Sequence, residues 1–544
     1  EGLALAGASS LAIGAAAIDR DWRGAPFGIG CFNGKIEGPS IQGGTTPATP
    51  PIAAWDFAQG IDTDRIVDVS GNGHHGRLYN APARGVTGQA WGGDEVDFRR
   101  APAHYAAIHF HEDDLEDAGW RPTARMALPG DLASGVYAVR VVSAGAEERI
   151  PLFVMPPRDA AKQAIAFLAP TFTYQAYGNA SLGERIDYRG SGLTSREITP
   201  GARDAQLAGH PVLRGSLYDV HRDGSGRFHS SLRRPILNFR PDYVSPIQQA
   251  PRHLGADLYL TGWLARRGHR FDVLTDHAID AEGSLLDGYR VLVTGTHPEY
   301  WSGRMLDALE AFIAGGGRVM YLGGNGFYWV TAQDPARPHV IECRRGYAGL
   351  RTWTSEPGEV HLAATGEMGG LWRHRGRAPN RLVGIGMASQ GWDERAPGFR
   401  RSAASHAPDC AWVFAGVPGE TFGEDGLVMG GASGDEVDRY DAALGSPRDA
   451  RVLATSMPHS TYYKIAVEDV PMVVEGLGGD RDDRVRSDVV LFERPSGGAV
   501  FSVGAISWAG AMAFNDFDNP VERITRNVLD RFLDPQPLNL TRED

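Results

Sequence analysis

Residues 286–330 constrain the fold of this chain more than any other stretch, reading LLDGYRVLVTGTHPEYW, then SGRMLDALEAFIAGGG, then RVMYLGGNGFYWV. The 289–294 segment is a short β-branched run, which predicts a strand. Residues 302–314 repeat apolar side chains at helical spacing (Met305, Leu306, Leu309, Phe312, Ile313), and the glycines at 315–317 stop that helix. A second apolar run follows at 318–322. Strand, helix, strand is the parallel βαβ unit. Ligands of open α/β sheets bind at the carboxyl ends of the strands. The loops there are 295–301, with His297 and Glu299, and 323–327, with Asn325.

The same pattern recurs around this unit. An apolar strand is expected at 164–169, a helix at 253–268 and a strand at 271–274, which makes a doubly wound sheet. Further strand-like runs lie at 381–385, 411–414, 452–454, 489–492 and 499–503, and a last helix at 520–532. Before residue 155 the character differs: short apolar runs alternate with turn clusters such as Asn33-Gly34 and Gly71-Asn72-Gly73, an all-β reading. The expected fold class is therefore α/β plus all-β, with a β-sandwich over 1–155, a boundary near Pro156-Pro157, and an α/β catalytic domain over 156–544. A length of 544 residues agrees with two or three domains.

Charge and cysteine usage narrow the function classes. A formal net charge of −13 argues against a nucleic-acid partner. Cys31, Cys343 and Cys410 stand far apart with no C-x-x-C spacing, so neither a disulfide framework nor a zinc site follows from them, and a cytoplasmic location is expected. No apolar run is long enough to span a bilayer. The opening LALAGASSLAIGAAAI lacks an initiating Met and a basic start, so it is not read as a signal peptide, and the natural chain is expected to extend further N-terminally.

Several chemistries can be set aside. In glutamine-amidotransferase-like folds a loop after a sheet strand carries a thiol nucleophile in a G-x-C-x-G turn; here the turn is Gly323-Gly324-Asn325-Gly326, without cysteine. There is no G-x-S-x-G elbow, the glycines around 315–317 and 323–326 do not meet the G-x-G-x-x-G order of a dinucleotide loop after a first strand, and Walker A spacing is absent. His74-His75 and the pair His109/His111 hint at metal, but no third ligand lies at useful spacing, and they read as satisfied polar residues. Glu299 reads as a base, a metal ligand or a solvated loop acid; His297 as its orienting partner or a structural residue; Asn325 as an amide that orients a carbonyl or a turn residue tolerating left-handed backbone.

At these residues the chain resembles the N,N-dimethylformamidase large (beta) subunit family. The likeness lies in TFTYQAYGN (171–179), GSLYDVH (215–221), TGTHPEYWS (294–302), YLGGNGFYW (321–329), GAISWAGAMAFN (504–515) and NPVERITRNVLDRF (519–532). Two stretches, 26–41 and 55–82, also resemble pieces of a concanavalin-like or laminin G-like jelly roll.

The resemblance implies hydrolysis of N,N-dimethylformamide to formate and dimethylamine at a mononuclear iron, Fe(III), ligated by Tyr177, Tyr218 and Glu299. Tyr174 competes with Tyr177 for its position. It further implies His297, Asn325 and Glu436 as catalytic residues, with Asp435 as the competitor of Glu436. Trp301, Phe327 and Trp329 become candidates for the walls of an N-methyl pocket, or ordinary core. A small (alpha) subunit in an α2β2 or larger hetero-oligomer is implied as partner. Two phenolates and a carboxylate are hard donors that suit ferric iron. The rival reading is a carbohydrate-binding or scaffold protein with a non-catalytic amidotransferase-like domain.

Overall fold

The computed structural model describes residues 10–44, 49–182, 187–348, 352–470 and 476–540. Residues 3–9 of the opening apolar stretch lie outside the described residues. The chain divides into two units that are not contiguous in sequence. One comprises 1–127, 215–235 and 332–370; the other comprises 128–214, 236–331 and 371–544. The expected boundary near 155 is not where they part: the hairpin Gly135–Ser143/Ala146–Val154 belongs to the second unit.

The second unit is built on a nine-stranded sheet. Its strands are β1 (Ile165–Ala169), β2 (Phe271–Thr275), β3 (Val291–Thr294), β4 (Arg318–Tyr321), β5 (Phe399–Arg401), β6 (Thr421–Phe422), β7 (Arg451–Ser456), β8 (Asp488–Glu493) and β9 (Ala499–Ser502). The order is β2-β1-β3-β4-β9-β8-β7-β5-β6. The first five are mutually parallel and the rest antiparallel. The parallel half runs outward from β1 in both directions, so the chain reverses its course between β1 and β3. In open α/β sheets ligands bind at such a topological switch point, outside the strands' carboxyl ends.

The helices follow from local sequence. Helix α1 (Thr171–Ala176) follows β1, α2 (Leu254–Arg266) precedes β2, and α3 (Gly303–Ala314) joins β3 to β4. Ser302 caps α3, its Oγ accepting from the Met305 N–H at 3.1 Å, and the five apolar residues of the periodic pattern are all buried. Near the C-terminus, α4 (Trp508–Phe517) is followed by α5 (Pro520–Leu533), where Asn519 caps and Pro520 takes the first turn.

Alternation sorts the strand residues between faces. Ile165, Phe167, Ala169, Val291, Val293 and Met320 join one apolar core with Leu260, Trp263, Trp508, Met512, Ile524 and Phe532 from α2, α4 and α5. Two expected strands are instead helical turns. Residues 381–385 fall mostly in the short helix Pro379–Val383, which Pro379 starts and Gly384, at φ 83°, ends. Ala411–Phe414 is a 3-10 turn whose Val413 and Phe414 reach the same core. Apolar runs this short do not distinguish strand from buried turn.

The first unit is antiparallel β. Gly34–Glu37, Ala107–Phe110 and Ala83–Val86 form one sheet, and Ser40–Gln42, Pro51–Asp56, Arg65–Asp68 and Gly76–Arg77 another. Trp55, Phe57, Ile66, Ile36 and Ile108 from both sheets share one apolar cluster. Among the described residues, no helix is long and apolar enough to cross a membrane.

Candidate active site

The switch point between β1 and β3 gathers side chains from three strand ends. His297 and Glu299 follow β3, Asn325 follows β4, and Tyr177 stands at the end of α1 after β1. Glu436 comes from Asp435–Arg439, a strand paired with Gly386–Gly391. All five are buried. His297 Nε2 lies 3.0 Å from Glu436 Oε2 and 3.4 Å from Glu299 Oε2. Asn325 Nδ2 donates to Glu436 Oε2 at 3.0 Å and to Glu299 Oε1 at 3.3 Å. One amide and one imidazole therefore bracket two carboxylates. The Tyr177 ring centre is 5.7 Å from that of His297.

Backbone fit holds this arrangement. A Cβ on Gly323 would lie 2.1 Å from the Thr296 carbonyl oxygen, and one on Gly324 would lie 2.5 Å from that of Glu436, so the glycines let three chain segments touch. Asn325 adopts φ 48°, a conformation asparagine tolerates, and its N–H donates to Asp438 Oδ1 at 2.7 Å. Thr173 Oγ1 accepts from the N–H of Glu299 at 2.9 Å, tying α1 to the β3 loop. Trp329 Nε1 donates to Glu299 Oε1 at 3.0 Å, so this tryptophan fixes a carboxylate. Trp301 and Phe327 pack edge to face at 4.6 Å in the core.

Sequence reasoning overlooked Arg252, His253, Asp257 and Asp438. Arg252 Nε is 3.0 Å from Asp435 Oδ2, its Nη2 is 3.7 Å from Glu436 Oε2, and its guanidinium lies 5.2 Å over the Tyr177 ring. Against the cost of burial, Asp435, Tyr177 and Glu436 hold that guanidinium above its ordinary value. Asp435 also accepts from Trp392 and Gln248, so it is the anchor of Arg252, whereas Glu436 faces the imidazole. Tyr174, the competitor of Tyr177, donates its hydroxyl to buried Asp257. The His253 ring lies 4.5 Å from that of Tyr177, tilted to it, and stacks parallel to that of His297 at 5.7 Å. Burial, then Arg252, holds its imidazole well below the ordinary value.

Asp438 also accepts from the Tyr321 hydroxyl at 2.8 Å. Burial, with Glu436 adding to it, pushes its carboxyl up to about 7. The folded chain therefore keeps this proton up to about pH 7, whereas an unfolded aspartate releases it near pH ~4. The stabilisation is complete below the unfolded value and is lost as pH rises through the folded one. Asp438→Asn is expected to flatten the fall in melting temperature over that interval. An unchanged slope in a pH series of thermal melts would refute the assignment.

Tyr218 belongs to the first unit. There the Arg345 guanidinium lies 4.4 Å over its ring, and the Leu217 carbonyl accepts from Arg345 at 2.9 Å and from Trp353 at 3.0 Å. That unit also holds a cavity of about 570 Å³, whose walls include Ile13, Ile41, Trp55, Phe57, Ile66 and Leu78.

The second-unit site fits a bound cation. Asn325 Oδ1, His297 Nδ1 and His253 Nε2 are buried without a hydrogen-bond partner among the described residues, which marks room for something more. Two carboxylates, Glu299 and Glu436, flank the His297 imidazole, and the Tyr177 phenol ring lies 5.7 Å from it. Hard oxygen donors of this kind suit a hard, highly charged ion.

A family described as N,N-dimethylformamidase beta subunit-like, C-terminal, matches residues 83–520. The N,N-dimethylformamidase beta subunit of Paracoccus aminophilus is 39% identical, over 97% of this chain and 71% of the relative. That of an Alcaligenes species is 39% identical, over 94% and 69%.

Proposed function

The chain belongs to the N,N-dimethylformamidase beta subunit family, and from that membership we propose how it works. It is a hydrolase of amide C–N bonds, and N,N-dimethylformamide is its substrate, cleaved to formate and dimethylamine. The observation that carries the reading is the bracket of His297 and Asn325 around Glu299 and Glu436 at the switch point.

Tyr177 and Glu299 would hold a mononuclear ferric iron, with Tyr218, by its SLYD motif, as the third ligand. When bound, that iron supplies Lewis acidity toward an amide oxygen or a water. The chain's own groups do the rest. His297 takes the proton of the attacking water and hands it to Glu436, 3.0 Å away. From there the proton reaches the amide nitrogen as the C–N bond breaks, because a dialkylamide anion is too poor a leaving group. Asn325, held by its two carboxylate bonds, presents Oδ1 as an acceptor that orients the attacking water, since N,N-dimethylformamide has no N–H to donate.

The name "beta subunit" borne by the relatives supports a partner subunit, here a small alpha chain in an α2β2 or larger assembly. A cytoplasmic location, a jelly-roll topology for the first unit and an amidotransferase-like ancestry for the second belong to the same reading. The sugar-binding rival gains nothing from the first unit's large cavity, whose walls are mainly hydrocarbon.

Metal analysis with a visible spectrum tests the site. The enzyme should carry iron and a tyrosinate charge-transfer band that Tyr177→Phe weakens or abolishes and Tyr174→Phe leaves in place. A colourless, iron-free enzyme with full activity would sink it.

A further inference from the structure

The first unit carries a second cluster that the amidase site does not use. His109 lies in the strand Ala107–Phe110 and His111 just beyond it. Residues two apart on a strand face the same side, so the H-x-H pair presents two imidazoles together. Spacing along the chain offered no third ligand, but folding brings one. Val220 and Gly226 bridge a tight turn, and Asp223 at its tip reaches back to the pair. Asp223 Oδ2 is 2.9 Å from His109 Nε2 and 3.5 Å from His111 Nε2.

We propose that His109, His111 and Asp223 bind a divalent transition-metal ion, with zinc the best match. Donors about 2.0–2.1 Å from a tetrahedral zinc stand roughly 3.3 Å apart, and the two distances here, 2.9 and 3.5 Å, bracket that separation. Two imidazoles and a carboxylate form a three-ligand set that leaves a fourth position for water. Beside them lies a cavity of about 20 Å³, lined by His109, His111, Asp114, His221 and Ser225 among others. That is room for one water or one ion.

The surroundings favour this set over the neighbouring trio of His111, Asp114 and His221. His111 has two ring nitrogens and ordinarily gives one to a metal. Its Nδ1 lies 3.3 Å from Asp114 Oδ1, the carboxylate support that a metal-bound histidine commonly has, while its Nε2 faces Asp223 Oδ2 and lies 3.1 Å from Ser225 Oγ, a contact that the ion would replace. In that trio His221 Nε2 stands 3.8 Å from Asp114 Oδ1, wider than two donors on one zinc, and the His221 ring stacks on His111 at 3.6 Å. Ser225 Oγ donates to Asp223 Oδ1 at 2.6 Å and so turns Oδ2 toward the imidazoles.

The Asp223 side chain is 32% exposed, which gives an ion an entry path. The ion would tie the 220–226 turn to the strand, so its readout is stability as well as occupancy.

The test uses the tag-free full chain, with any subunit that co-purifies, stripped by chelator and titrated with zinc. Wild type should bind one more zinc per chain than Asp223→Asn or His109→Ala, and zinc should raise its melting temperature but not theirs. His74→Ala, which alters a histidine outside the cluster, should bind like wild type. Zinc captured at the second unit's site is common to all four proteins and cancels, so the result is independent of the amidase reading. If His109→Ala does not fold, Asp223→Asn decides, since its amide oxygen can still accept from Ser225. Equal zinc stoichiometry and equal melting shifts in wild type and Asp223→Asn would overturn the proposal.

Discussion

Glu299→Gln is expected to lower kcat on N,N-dimethylformamide by on the order of 10³-fold, at the upper end of what a single transition-state contact contributes, while the chain stays folded. The substitution is isosteric, and the glutamine oxygen can still accept from Trp329 Nε1 and Asn325 Nδ2. What disappears is the negative charge that the proposed iron site requires and that faces His297, 3.4 Å away. The iron band should weaken with the activity, because both depend on the same oxygen. Formate release and bound iron measured on one preparation check this. A variant with normal iron and a rate within tenfold of wild type would remove Glu299 from the mechanism.

Arg252→Met should be the most destabilising of the site's substitutions. Its guanidinium bonds Asp435 through Nε at 3.0 Å and Nη2 at 3.3 Å, deep in the second unit. Breaking a buried pair leaves a carboxylate with neither water nor its cation, a loss of about 3–5 kcal/mol. Arg252→Met/Asp435→Asn should recover part of it by removing the stranded charge along with its partner. Thermal melts of the two variants decide the matter: a double variant that melts below the single one would show that Asp435 matters for some other reason. Arg252→Lys should fall between, since it keeps the charge but not the two-pronged geometry.

These two residues differ in how legible they were. Glu299 stands in a loop placed by local signals: a β-branched run before it, and a capped amphipathic helix with all five periodic residues buried after it. Asn325 could be located by the same logic, one strand later. Arg252 could not. Its carboxylate partner is 183 residues away in sequence, and nothing in the composition of either segment marks the pair. His253 and Asp438 were overlooked for the same reason. Residues 381–385 and 411–414 were misread because short apolar runs satisfy a strand and a buried turn equally.

The sequence by itself determined the elements that repeat with a period: the parallel strands, the helices between them, and hence which loops lie at the strands' carboxyl ends. Its motifs also identified the family. Tertiary structure alone decided who faces whom. It separated Glu436, facing His297, from Asp435, anchored by Arg252, although the two are adjacent in the chain. It committed Tyr174 to Asp257, and it gave the His109/His111 pair its third ligand from a turn more than a hundred residues on. Periodicity is a property of near neighbours and can be read along a chain. The pairing of buried charges is set by which segments the packed core brings together, and that order is not written in any one stretch.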